Sequence, residues 1–324
     1  MKNLLALPLL IMSFAIAHAQ EQGQLRDGAL QRIMVRFQAM VGTEPFSCGR
    51  SYENIGATHS RITPSDFRFY VSEVELINRE GKAVPVQLEQ DGVWQYRNVA
   101  LLDFEGGTGP CGGGNSGLHT AVTGMVPKDV YRGVRFVVGV PFDLNHGDPT
   151  IVPSPLNFTA MFWAWQSGYK FIKIDMATSG QSQDGEKRPE MSMKERVAMM
   201  EKIDAMKKQG AAGVPGGKPP RAAGFSVHIG STECASASLT TPPSECRNPN
   251  RMAVAFGDFD VDKNVIVADL AALLKDTDVD INAPGTAPGC MSAVDDADCP
   301  GIFAALGLPY DGQPVMPQRF LGVK

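Results

Sequence analysis

The chain has 324 residues, 43% of them hydrophobic and 20% charged, with a formal net charge of -5 and an isoelectric point near 5.6. That balance, with 34 glycines and 23 prolines, excludes a disordered, collagen-like or coiled-coil protein. A mildly acidic chain also argues against nucleic acid or an anionic membrane as partner.

Residues 1–19 carry Lys2, an apolar run from Leu4 to Ala17, and small residues at Ala17 and Ala19, which is the layout of a secretory signal peptide. The run is too short to span a bilayer. No second long apolar run follows, and no cysteine stands where a lipid would be attached. The expectation is an exported, soluble protein with a single domain over residues 20–324. Export lets the six cysteines, Cys48, Cys111, Cys234, Cys246, Cys290 and Cys299, act as structural staples. Close spacing favours Cys234 with Cys246 and Cys290 with Cys299, which leaves Cys48 with Cys111. None stands in C-x-x-C or C-x-x-C-H, so thioredoxin chemistry, a zinc ribbon and attached haem are not expected.

Ile33, Val35 and Phe37 alternate with polar residues and mark a first strand. A longer run holds Phe67, Phe69, Val71, Val74 and Leu76. The turn Arg79-Glu80-Gly81-Lys82 then leads to Val84-Pro85-Val86, the pattern of a hairpin. Further strands are expected at 94–104, 133–140, 161–174, 225–229 and 252–259, separated by turns rich in glycine and proline. The segment 178–224 breaks this pattern. It is charged, then rich in glycine and proline, and it encloses Val197, Met200, Ile203 and Met206 at helical spacing. It reads as an insertion on a surface loop. Its methionines have the softness that Cu(I) prefers, although an apolar helix stripe explains the same spacing. Helical character returns at 267–275 and 302–306. The expected fold class is all-β: an antiparallel β-sandwich with short capping helices and one helical insertion.

Once residues 1–19 are removed, four histidines remain: His59, His119, His146 and His228. A lone loop histidine is usually a hydrated side chain. His146, however, lies in Pro141-Phe142-Asp143-Leu144-Asn145-His146-Gly147-Asp148, a polar loop directly after an apolar strand, where binding residues can be held by a rigid scaffold. His228 lies on the strand face opposite Phe225, Val227 and Ile229. Between them, Trp163 and Trp165 share one face of any strand they occupy, and core packing is the simplest role for both. Asp258, Asp260, Asp262 and Asn264 imitate the start of a calcium loop, but Lys263 holds the position that requires glycine and Asp269 the position of the final glutamate. A polar turn is expected there. No zinc-protease, nucleophile-elbow or P-loop motif occurs.

A set of segments in fixed order then becomes recognisable. They are Pro45-Phe46-Ser47-Cys48-Gly49, Pro64-Ser65-Asp66-Phe67-Arg68-Phe69-Tyr70-Val71-Ser72, Val99-Ala100-Leu101-Leu102-Asp103-Phe104, and Gly139-Val140-Pro141-Phe142 with Asn145-His146. Further on come Trp163-Ala164-Trp165-Gln166-Ser167-Gly168-Tyr169-Lys170-Phe171, His228-Ile229-Gly230-Ser231-Thr232 with Cys234, and Pro288-Gly289-Cys290-Met291-Ser292. Together they resemble the MbnP family of copper-binding proteins, also described as the four-Cys partner of metallo-mystery pair systems. The resemblance implies a periplasmic, β-rich protein that binds copper through histidines and a kynurenine. It also implies that the kynurenine arises by oxidation of a tryptophan by an MbnH-like di-haem partner related to bacterial cytochrome c peroxidases. Carried onto this chain, the resemblance implies His146 and His228 as copper ligands and Trp165, within W-x-W-Q, as the residue converted, with Trp163 as the alternative. It leaves open whether His59 or His119 also ligates. Two imidazoles alone anchor copper poorly, whereas an opened indole adds an aryl amine and a ketone. The unmodified chain is therefore expected to bind copper weakly. The long insertion and six cysteines in place of four depart from the family pattern, and they bear on partner docking and disulfide pairing.

The resulting expectation is a copper binder that is not an enzyme, acting in copper acquisition, storage or handling. Two other readings stand beside it. A mononuclear copper oxidase or oxygenase would use the amine and ring of His18 after cleavage at Ala15-Ile16-Ala17. A metal-free extracellular binding module would show unchanged copper titrations in H146A and H228A.

Overall fold

The computed structural model describes residues 29–164, 166–178, 224–238, 241–283 and 286–324. The expected signal peptide at 1–19, the methionine stripe of the insertion, and Trp165 lie outside the described residues. In chain order the first strands are β1 (Leu30–Val41), β2 (Glu44–Pro45), β3 (Tyr52–Ile55), β4 (Ser60–Asn78), β5 (Ala83–Pro85), β6 (Gln87–Leu88), β7 (Gln95–Tyr96) and β8 (Val99–Asp103). After a 3-10 turn at Gly109–Cys111 come β9 (Ala121–Pro127), β10 (Tyr131–Val138) and the one-turn helix α1 (Phe142–Asn145). A second 3-10 turn at Thr159–Met161 precedes β11 (Phe162–Ala164), β12 (Gly168–Tyr169), β13 (Ile172–Thr178) and β14 (Gly224–Ile229). The chain ends with β15 (Thr232–Ala235), β16 (Glu245–Asn248), β17 (Met252–Phe256), β18 (Ile266–Asp269), α2 (Leu270–Leu274), α3 (Pro300–Leu306) and β19 (Leu321–Val323).

Two sheets form the sandwich. The first has the order β19-β18-β1-β9-β6, with β2 on β1; the second has the order β14-β13-β4-β10-β17, with β3, β5 and β8 also on β4 and β7 on β8. Alternation in β1 turns Ile33, Val35 and Phe37 inward, where they join Phe67, Phe69 and Val71 of β4 in one buried core. Phe37 crosses the seam and packs edge-on against Phe69 and Phe136, with ring centres 6.2 and 5.6 Å away. Burying a side chain of this size is worth about 1.5–3 kcal/mol, so this seam is a principal attachment between the layers. Leu270, Leu273 and Leu274 of α2 and Ile302 and Phe303 of α3 are buried in the same core and cap it. The all-β sandwich expected from the alternation is the observed fold, with one variation: β1 and β18 run parallel.

The alternation in β4 changes phase between Val71 and Val74. There Glu73 adopts a φ of 55°, and the register slips, with Ser72 opposite Val137 but Glu75 opposite Arg135. This β-bulge returns both valines to the core, which strict alternation would have denied one of them.

Three expected elements are corrected. The strand at 161–174 is broken: Met161 closes a 3-10 turn, β11 and β12 form a separate hairpin, and only Ile172 onward joins the main sheet. Gly168 makes the break, with a φ of 70° and the Asn145 carbonyl oxygen 2.4 Å from where a Cβ would stand. The strand at 94–104 divides at Arg97, whose φ is 53°. The helix expected at 267–275 begins only at Leu270, because residues up to Asp269 complete β18 and the Asp269 carboxylate caps the helix by accepting from the Ala271 N–H at 2.9 Å.

The disulfides are Cys48–Cys111, Cys234–Cys246 and Cys290–Cys299, the pairing that spacing favours. Cys234 and Cys246 stand directly opposite each other on β15 and β16. The insertion leaves from β13 and returns at β14, with Ala177 opposite Gly224.

Candidate metal centre

The outer face of the second sheet carries charges on several strands. Pairing register sets Asp103 of β8, Arg68 of β4, Lys173 of β13 and His228 of β14 side by side across four strands. Two residues along lie Asp66, Asp175 and Ser226. Arg68 is fully buried; its Nε donates to Asp66 Oδ1 at 2.8 Å and lies 3.6 Å from Glu105 Oε1. Lys173 bridges Asp66 and Asp175. Asp175 Oδ1 in turn accepts from Ser226 Oγ at 2.7 Å and from His228 Nε2 at 2.8 Å. Buried charges persist only when paired in this way.

Position decides how each carboxyl responds. Burial raises Asp175, but the hydrogen bond and charge of His228 together with Lys173 outweigh that and hold it well below the usual carboxylate range. Burial pushes Asp103 up to about 7, against the hydrogen bond it accepts from the Glu105 N–H. Glu105 is also raised by burial. Its carboxylate occupies the space beside Gly114, where a Cβ would fall 1.5 Å from Glu105 Oε1. The glycine run after Cys111 thus makes room for a buried acid.

His228 lies on the expected strand face, opposite the buried Phe225, Val227 and Ile229. The Trp163 ring sits beside it, with ring centres 6.4 Å apart and planes inclined by 57°. His146 follows the last residue of α1, is buried, and meets Phe142 edge-on at 5.1 Å. Asn145 joins the two segments. Its Oδ1 accepts the Tyr169 N–H at 2.9 Å, which fixes the amide orientation. Its Nδ2 therefore faces Ser231 Oγ at 3.3 Å, just past the end of β14, and His146 Nε2 at 3.2 Å. The fold thus brings the neighbourhoods of His146, Trp163 and His228 to one end of the second sheet.

Cys246 Sγ lies 3.5 Å from His146 Nε2, and one ligand atom each of His146, Cys234 and Cys246 fall within 4.8 Å of one another. Both sulfurs belong to a disulfide. Neither is the thiolate through which cysteine ligates metals, so this group offers imidazole alone.

The other candidates sit elsewhere or lie beyond description. His119 stacks on Trp94, with planes 3° apart and centres 5.4 Å apart, and its Nδ1 is 2.6 Å from the Leu101 carbonyl oxygen. Burial lowers its pKa despite that bond. His59 occupies the turn before β4 with a φ of 54°. Asp260 is engaged by Lys263 and by the Asp262 N–H, as a polar turn requires. Trp165 lies outside the described residues. Asp175, Lys173, Asn145 and Ser231 were not singled out from the sequence. Lys173 and Asp175 do alternate with Ile172, Ile174 and Met176, which places them on a polar face, but only the pairing of β13 with β14 aligns that face with His228.

Fold and site define a disulfide-stapled β-sandwich with an imidazole-based candidate metal centre at one sheet end. The MbnP family model matches residues 31–292, and the chain belongs to the MbnP family. It is similar to the solved structure of MbnP from Methylosinus trichosporium, at 31% sequence identity and a TM-score of 0.71, over 91% of this chain and 98% of that one. No curated protein matches the chain. Family membership implies a copper-associated protein, and imidazole nitrogens are donors that suit copper. The three disulfides fit an oxidising compartment outside the cytoplasm. No helix among the described residues is long and apolar enough to cross a membrane.

Proposed function

We propose that this protein binds copper in the periplasm through His146, His228 and a kynurenine derived from tryptophan, and that it handles copper without catalysing a reaction. The observation that supports this reading is the Trp163 ring beside His228, at the sheet end to which Asn145 ties His146. Two imidazoles leave a copper ion under-coordinated, and the opened indole supplies further donors. Trp165 is the residue assigned to conversion, with Trp163 as the alternative. An MbnH-like di-haem partner related to cytochrome c peroxidases carries out the oxidation. Two oxygen atoms enter across the indole C2–C3 bond as two molecules of peroxide are reduced to water. Hydrolysis then releases C2 as formate and leaves an aryl amine and a ketone.

Co-expression with the di-haem partner, followed by peptide mass analysis and copper titration, tests this. The expected result is an oxidised Trp165, tight copper binding, no modification in W165F, and weakened binding in H146A and H228A. A tryptophan pair that stays unmodified while copper affinity is unchanged overturns the kynurenine route. Loss of modification in W163F alone moves the site to Trp163. Unchanged titrations in both histidine variants overturn the copper assignment.

A further inference from the structure

The geometry points to Asp175 as the positioning residue for His228: it fixes the ring as the Nε2–H tautomer and leaves Nδ1 as the nitrogen that meets copper. This inference rests on the copper reading above for its ligand, but not for its tautomer. His228 Nε2 stands 2.8 Å from Asp175 Oδ1. That oxygen also receives the Ser226 hydroxyl at 2.7 Å, and the other carboxylate oxygen pairs with Lys173. A carboxylate engaged by a cation and a hydroxyl only accepts, so the ring nitrogen facing it carries the hydrogen. The remaining lone pair of a neutral ring is then on Nδ1.

The carboxylate is itself held in place. Lys173 also pairs with Asp66, and Asp66 accepts from the Nε of fully buried Arg68 at 2.8 Å. These groups lie on neighbouring strands whose register is set by main-chain pairing. The orientation of His228 therefore derives from the rigid sheet. Metal-binding histidines commonly donate their second ring N–H to a carboxylate, and loss of such a partner lowers metal affinity by about 10–100-fold. His146 has a different arrangement, because the Asn145 amide donates to its Nε2. The two rings are thus held through the same atom in opposite senses: His228 donates from Nε2, whereas His146 accepts there, so a metal reaching the His146 Nε2 lone pair has to displace the Asn145 amide.

The isosteric Asp175→Asn substitution gives an unusually sharp test. Lys173 can only donate, so it draws the Asn oxygen toward itself and turns the amide NH2 toward His228. That demands a lone pair on Nε2 and reverses the tautomer. Two-bond proton–nitrogen spectra of the copper-free, nitrogen-15 histidine-labelled chain, which separate the two neutral tautomers from the charged ring, report this directly. The expected result is Nε2–H on His228 in the parent chain and Nδ1–H in D175N, with His146 unchanged. Cu(I) competition titrations of the same two chains should differ by about 10–100-fold, with H228A weaker still. D175A, which removes the acceptor without supplying a donor, should give a mixture of tautomers. An Nδ1–H tautomer in the parent chain, or parent-like copper affinity in D175N where H228A has lost it, overturns the inference. Copper affinity unchanged in both H228A and H146A overturns the copper reading instead, while the spectra still decide the role of Asp175.

Discussion

The Trp163 indole rests on the backbone of Gly230, two residues beyond His228. A Cβ at position 230 would lie 2.7 Å from Trp163 Cζ3 and 2.6 Å from the Tyr169 carbonyl oxygen. One neighbour is a side chain that can shift; the other is main chain of the β11–β12 hairpin and cannot shift cheaply. Gly230→Ala should therefore destabilise the fold by about 1–3 kcal/mol, as overpacking typically does. It should also alter tryptophan emission and weaken copper binding. Urea denaturation followed by fluorescence measures the first two effects together, and a parent-like emission spectrum would show that the contact is loose.

The Cys234–Cys246 bond touches His146 without offering a thiolate. It closes a short loop, with a sequence separation of 12, so the double variant C234S/C246S should lose about 2–3 kcal/mol of stability. Copper affinity should stay within a few-fold of the parent once the variant is folded, in contrast to H146A. A copper loss as deep as that of H146A would place sulfur in the coordination shell.

Gly114 leaves room for the buried Glu105 carboxylate, and Gly114→Ala has no comparable accommodation. The displaced acid must either leave Arg68 or push the turn outward, at a cost of roughly 2–3 kcal/mol. In the E105A background the same substitution should cost much less, and a thermodynamic cycle of the four chains reads the difference. Additive effects would mean that Gly114 acts through the backbone alone.

Asp103 gives the stability curve a definite sign. Its folded-state pKa is raised to about 7 from an ordinary carboxyl value. The native chain therefore holds a proton that the unfolded chain releases, and stability falls as pH rises from about 4 to about 7 and then levels off. The fall attributable to this buried group is roughly 2–4 kcal/mol. Asp103→Asn should flatten that limb, measured by chemical denaturation at several pH values. A curve that keeps its slope in D103N would assign the effect to Glu105, the neighbouring acid raised in the same way.

Much of the architecture was legible in the sequence, because strand alternation is a local property. Ile33, Val35 and Phe37 face inward as their period demands, whereas the run from Phe67 to Leu76 reads as one strand and the bulge at Glu73 shows only in its pairing with β10. His228 was readable for the same reason: its neighbours at 227 and 229 are apolar. What was not readable depends on which strand lies beside which. The row from Asp103 to His228 exists only because β8, β4, β13 and β14 are neighbours in register, and none of those neighbours is fixed by its own residues. The break in 161–174 was hidden because Gly168 looks like an ordinary strand glycine until Asn145, from the end of α1, occupies the space of its missing side chain.

The rung that pairs Ala177 with Gly224 closes the β13–β14 ladder just where the insertion departs and returns. A guest segment joined through two ends so close together adds a closure entropy that grows only with the logarithm of its length. Lys173 and His228 lie four rungs further down the same ladder, in a register set by its main-chain pairing. That junction behaves as a port: sequence can be lengthened, shortened or exchanged there during descent, or by an engineer fusing a cargo, while the histidine keeps its address.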